Sequence, residues 1–151
     1  MNTAQSIQLA TVIITGTGVI IALFTLVWQS HITRQQMKLT FFADYTKRYQ
    51  KIILHLPSNI NDPDFKFGKL STKEREKTLK YMRVYFDLCS EEFYLSQTKK
   101  IDKKVWKEWS SGIQYAFSKK AFQDGWKIIN MDSQFYGDFV KWMNAEVLVD
   151  N

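Results

Sequence analysis

Residues 9–28, LATVIITGTGVIIALFTLVW, form a run of twenty residues without a charged side chain. As a helix this run is about 30 Å long, the hydrocarbon thickness of a bilayer. A buried core helix of this length would need protein on every side, and the rest of the chain lacks the apolar surface for that and for its own core. A cleaved signal peptide would carry a basic leader, a shorter apolar run and a small-residue cleavage site. Met1 to Gln8 has no charged side chain, and the WQSHIT that closes the run and follows it offers no such site. The expected element is an uncleaved single-pass transmembrane helix over 9–28. Residues 1–8 then form a short extracytoplasmic N-terminus and 29–151 a cytoplasmic helical domain.

The flanks set the expected orientation. Only the α-amino group is basic on the N-terminal side, whereas Arg34, Lys38, Lys47, Arg48 and Lys51 follow the run. The positive-inside rule puts the N-terminus out and the C-terminal part in the cytoplasm. The single cysteine, Cys89, fits a reducing compartment and excludes an internal disulfide.

Within the run, Gln8, Thr11, Thr15, Gly18, Ala22, Thr25 and Gln29 recur at 3-4 spacing and share one face. Ile13, Ile20, Phe24 and Val27 cover the opposite side. Lipid gives helices no hydrophobic drive to associate, so close approach at small residues takes its place. Thr11, Thr15, Gly18, Ala22 and Thr25 are therefore the expected transmembrane interface, with Gly18 and Ala22 nearest the partner. The competing reading is that each threonine bonds a preceding carbonyl of its own helix.

The remaining 123 residues hold 21 of the 23 aromatics and no repeat. Their periodicity predicts an all-α fold, a small helical bundle, since β-branched residues nowhere alternate over six positions. Without Gly or Pro before Pro57, the first helix continues out of the apolar run. Phe42, Tyr45, Tyr49, Ile52 and Leu56 mark its buried face. Residues 57–70, with both prolines and a glycine, read as a loop. Ser71 and Glu74 form a capping box for a second helix to about Gln97. That helix has two apolar stripes, one through Leu79, Met82, Phe86, Cys89 and Phe93, the other through Tyr81, Val84, Leu88 and Leu95. A helix apolar on both sides is sandwiched, so this one is expected at the centre. Asp102 is expected to cap a third helix over 103–117, Ser118 a short fourth, and Asp132 a fifth carrying Phe135, Phe139, Trp142 and Met143.

Charge and chemistry limit the function classes. The chain carries +6 net charge, with its excess in residues 31–104. Arg34 and Lys38 fall about 9 and 15 Å beyond Trp28 along a helix, within reach of anionic lipid headgroups. Lys99, Lys100, Lys103 and Lys104 read as a solvated face. They lack the arginine fork that reads bases, so nucleic acid is not an expected partner. Arg83, Asp87 and Glu91 line one edge of the second helix at i, i+4, i+8 and read as a salt-bridged polar seam, with Arg83 or Arg48 as partners. An acid–base or metal role for these carboxylates is the weaker reading. There is no ExxH pair, no zinc spacing, no GxSxG elbow and no glycine-rich phosphate loop. Cys89 reads as a buried inert thiol, and His55 as flanking the helix end, near its carbonyls. Trp106, Trp109, Trp126 and Trp142 are spaced for packing, with Trp106 and Trp109 as candidate partner contacts. No cofactor, metal or catalytic residue is expected.

The stretch YFDLCSEEFYL (Tyr85 to Leu95), followed by IDKKVWKEW (Ile101 to Trp109), resembles a family of small bacterial proteins with one N-terminal membrane helix and a domain of unknown function. The resemblance covers most of the chain. It implies an association with mobile elements and defence loci, but no catalytic residue to carry over. The expected function is a non-enzymatic, membrane-anchored interaction protein that associates through its anchor, as a homo-oligomer or with another membrane protein. The alternative is a membrane-disrupting effector of a phage-defence system.

Overall fold

The computed structural model describes residues 2–148, with backbone alone at 9 and 10. The order is α1 (Thr3–Ile53), a 3-10 turn (Phe67–Lys69), α2 (Thr72–Gln97), α3 (Lys103–Phe117), α4 (Lys120–Ile129), a second 3-10 turn (Asn130–Asp132) and α5 (Phe139–Trp142). A π turn, Met143–Val147, continues α5. The fold is all-α, with no strand among the described residues. It divides into two compact units, the first ending at Ala43 and the second beginning at Asp44.

The first unit is the N-terminal part of α1. Its most apolar window has a mean hydropathy of 2.3 and none of it is buried, so this helix is long and apolar enough to cross a membrane. Val12, Ile14, Ile20, Phe24 and Val27 all stand exposed.

The second unit begins with the last turns of α1. Tyr45, Ile52 and Leu56 are buried as the periodicity predicts, but Phe42 and Tyr49 are each 45% exposed. The inward stripe starts only at Tyr45, which leaves Phe42 outside it, and Tyr49 lies at its edge with its ring 6.1 Å from Tyr85. Helix α1 unwinds before Pro57 through tighter bonds, His55 N–H to Ile52 O (3.0 Å) and Leu56 N–H to Ile53 O (3.1 Å). Proline disfavours a helical residue before it and ends the helix there. Residues 57–70 are irregular apart from one 3-10 turn, yet they bury Ile60, Phe65 and Phe67. This connection is therefore also a piece of core.

Helix α2 starts on the expected capping box. Ser71 Oγ accepts from Glu74 N–H, and the Glu74 carboxylate accepts from Ser71 N–H at 3.1 Å. It packs against α3, α4 and α5, which makes it central. Met82, Phe86, Cys89 and Phe93 of the first stripe are buried, with Phe86 between Phe117 and Trp126 at 5.3 Å each. The second stripe is only partly covered. Leu88 is buried, but Val84 is 44% exposed, because α1 meets α2 beside it, at Tyr81 and Tyr85. Helix α4 comes close to α2 at Gly125, where a Cβ would lie 2.7 Å from Met82 Cε.

Two predicted caps are corrected. Asp102 does cap α3, accepting from Lys104 N–H at 2.8 Å, but Ser118 ends α3 instead of opening α4. Ser118 is still helical, and its hydroxyl turns back to Tyr115 O at 2.7 Å. Lys119 occupies the cap of α4 without a side-chain bond. Asp132 closes the turn after α4 and starts no helix; α5 begins at Phe139. Residues 133–138 are held by tertiary contacts instead. Phe135 stacks on Trp126 at 5.1 Å, and Tyr136 N–H donates to Ser90 Oγ at 2.7 Å. Gly137 takes a φ of +54°, a conformation that glycine adopts at little cost.

Candidate functional site

The charged residues of α2 that spacing put in one seam divide into different environments. Arg83 and Asp87 are exposed. Burial pushes the Asp87 carboxyl up, against the lowering field of Arg83. Glu91 turns to α1, where Arg48 Nη2 donates to Glu91 Oε2 at 2.8 Å. Partial burial alone would raise the Glu91 carboxyl. Hydrogen bonds from Arg48 and Tyr45, with the Arg48 charge, outweigh it and hold Glu91 below the usual carboxylate range. Of the two partners weighed for the seam, Arg48 is the one engaged.

The neighbouring carboxyl is the one the sequence reading passed over. Glu92 is 8% exposed, and burial pushes it up to about 8; Arg48 lowers it and Glu91 raises it. Around it lie Tyr49, Tyr85 and Cys89, whose acidities are weakened first by burial and further by Glu92; Cys89 also weakens both tyrosines, while the Tyr85 hydrogen bond partly offsets the effect on Cys89. The spacing carried a signal: Glu92 sits at i+7 from Tyr85, i+4 from Leu88 and i+3 from Cys89, on the buried edge of α2. Cys89 is buried, and its thiol is held well above the usual range, so it is not a thiolate nucleophile.

The aromatic candidates are packed. Trp109 lies 4.9 Å from Tyr45, and Trp106 lies 6.0 Å from Phe93 and 5.5 Å from Trp142. His55 Nδ1 is 2.7 Å from Lys51 O at the end of α1, and its ring stacks on Tyr81 at 4.3 Å.

On the first unit, Arg34 and Lys38 are exposed on α1. Thr11, Thr15 and Thr25 donate to Ile7 O, Thr11 O and Ile21 O at 2.8–2.9 Å, each to its own helix. Apart from the local backbone and chain neighbours, Gly18 has no heavy atom within 4 Å of the Cβ position, and Ala22 is exposed. The stripe is thus bare, with its hydroxyl donors already used.

Two open grooves flank α2. One, about 370 Å³, is lined by His55, Ser58, Asn59, Glu74 and Lys77; the other, about 380 Å³, by Glu76, Leu79, Lys80, Arg83 and Ile128. Neither contains Glu91 or Glu92. Among the described residues no three His, Cys, Asp or Glu side chains gather as metal ligands. What the cluster does is tie the last turns of α1 to α2, through the bonds of Arg48 and Tyr45 to Glu91 beside the buried Glu92. The chain matches no protein-family model, no curated protein and no solved structure.

Proposed function

We propose that the chain is a non-enzymatic, single-pass membrane protein whose helical unit binds other proteins on the cytoplasmic side. The observation that carries this is the first part of α1: none of its most apolar window is buried inside the protein. Residues 11–28 are uncharged and all exposed; this would cost on the order of 1 kcal/mol or more in water for each of the larger side chains, and lipid removes that cost. The basic flank beyond Trp28 favours the N-terminus outside. Association of anchors through Thr11, Thr15, Gly18, Ala22 and Thr25 is part of the same proposal, as is the kinship with small bacterial membrane proteins of defence loci.

The leak-forming alternative finds less support. Thr11, Thr15, Thr17 and Thr25 commit their hydroxyl donors to carbonyls of α1 itself. That leaves them only acceptor lone pairs to offer a water-lined path.

The test is carbonate extraction and flotation of the full-length chain expressed in a bacterium, followed by protease treatment of spheroplasts. The chain should float with lipid after extraction and keep its helical unit protected until the membrane is opened. A chain that stays in the supernatant after ultracentrifugation without detergent overturns the reading.

A further inference from the structure

The α2–α3 turn carries Lys99, Lys100, Lys103 and Lys104, all exposed and, among the described residues, none in an ion pair. Two of its features make lysine a poor choice for folding. Helix α2 ends in a Schellman motif, with Lys100 N–H donating to Leu95 O (2.9 Å) and Lys99 N–H to Ser96 O (3.1 Å). Its left-handed position, φ +56°, belongs to Lys99, where glycine would be unstrained. Lys103 and Lys104 then occupy the first turn of α3, where the dipole disfavours cations and the one acid is Asp102 at the cap. Backbone stability therefore does not explain Lys99, Lys103 and Lys104, whereas a need for positive charge explains them together with Lys100.

The packing of the second unit fixes where that charge lies. Descending α1 from His55 to Tyr49 to Arg48, the partners on α2 ascend from Tyr81 to Tyr85 to Glu91. Helix α3 returns antiparallel, with Trp106 beside Phe93 and Phe117 beside Phe86. The α2–α3 turn is thus at the end of the unit where α1 enters, the end that holds Tyr45 against Trp109. Residues 57–70 lie at the other end.

Resting on the anchored reading above, we infer that this lysine turn is a docking surface for the anionic lipid headgroups of the membrane that α1 enters. Lysine suits this role: it is a compact charge on a flexible stem, attracted by a diffuse negative surface without needing a planar fork. The attraction acts within about a Debye length, roughly 8 Å, so it depends on the turn facing the bilayer. A turn at the far end could not take part.

The experiment uses the full-length chain reconstituted in vesicles, labelled with a fluorophore through Gln97→Cys, or through Asn59→Cys at the far end as the control. Cys89 is buried and leaves the background low. The vesicles contain a headgroup-nitroxide quencher in phosphatidylcholine, with or without about 30% phosphatidylglycerol. At position 97, anionic lipid should raise quenching about threefold or more, and about 1 M salt should abolish the gain. K99E/K100E/K103E/K104E should abolish it too, as should the milder K99Q/K100Q/K103Q/K104Q, with both helix contents unchanged by circular dichroism. Position 59 should not respond. Equal quenching in both lipids, or a variant that quenches like the parent, overturns the inference. So does tight oligonucleotide binding by the detergent-solubilised chain, lost in the variant, without lipid-dependent quenching; that result gives the turn to nucleic acid. Flotation separates the two proposals: a chain that fails to float refutes the anchor, and one that floats without the lipid response refutes only the docking.

Discussion

Arg48 reaches Glu91 at 2.8 Å across the α1–α2 contact, and it is the one ion pair among the described residues that joins two long helices. Tyr45 shares Glu91, and Arg48 also lies over the Tyr45 ring at 5.0 Å. The side chains remain 44% and 35% exposed, so solvent screens the pair. A double-mutant cycle with Arg48→Ala and Glu91→Ala should give a coupling of about 0.5–1 kcal/mol in denaturant melts of the detergent-solubilised chain. A coupling of several kcal/mol would mean that the contact is far less wet than its exposure indicates.

Glu92 should make stability fall toward alkaline pH. Its acidity is weakened from the ordinary value of 4.5 to about 8, so the folded state holds its proton longer than the unfolded chain does. The stabilisation from protonated Glu92 is complete below about 4.5 and is lost as pH rises through about 8. The full loss is about 3–5 kcal/mol. Glu92→Gln keeps the shape without the titration. Its Tm should exceed the parent's at pH 9, and its Tm-versus-pH curve should be nearly flat where the parent's declines. Parallel curves for the two proteins would refute the assignment.

Ser90 is fully buried and supplies the acceptor for Tyr136 N–H at 2.7 Å. That bond ties the irregular segment before α5 to the central helix. Ser90→Ala leaves the amide without a partner and should cost about 1–3 kcal/mol. Hydrogen exchange at Tyr136 should quicken by more than exchange within α3. Ser96→Ala is the control. Its hydroxyl bonds Phe93 O of its own helix at 2.6 Å, and its loss should change stability by less than about 0.5 kcal/mol.

Local and periodic features were legible in the sequence. The Ser71–Glu74 box, the Asp102 cap, the central position of α2 and the apolar N-terminal run all follow from short-range patterns. Features set by distant partners were not. Asp132 resembled a helix start, but Phe135 gains more by stacking on Trp126 than by joining a helix. Glu92 carried no expectation of its own, and its burial shows only once the bundle is assembled. At Asp132 long-range packing overrides a local capping preference worth about 1 kcal/mol.

The anchor's bare stripe leads to the last prediction. Apart from the local backbone and chain neighbours, nothing lies within 4 Å of the Cβ position at Gly18, and Ala22 is exposed one turn further on. If two copies of α1 associate there, their backbones come close at Gly18 and Ala22, and packing supplies the energy that the hydrophobic effect cannot supply in lipid. Leucine at both positions holds the helices apart. Gly18→Leu with Ala22→Leu should lower crosslinking of the full-length chain in native membranes by about tenfold, the equivalent of the 1–2 kcal/mol typical of such contacts. Ile20→Leu with Phe24→Leu changes side chains of the opposite face and should leave crosslinking unchanged. If the first pair crosslinks like the parent, the anchors do not meet on this stripe. If both pairs lose crosslinking, the loss comes from a perturbed helix, and the face assignment fails as well.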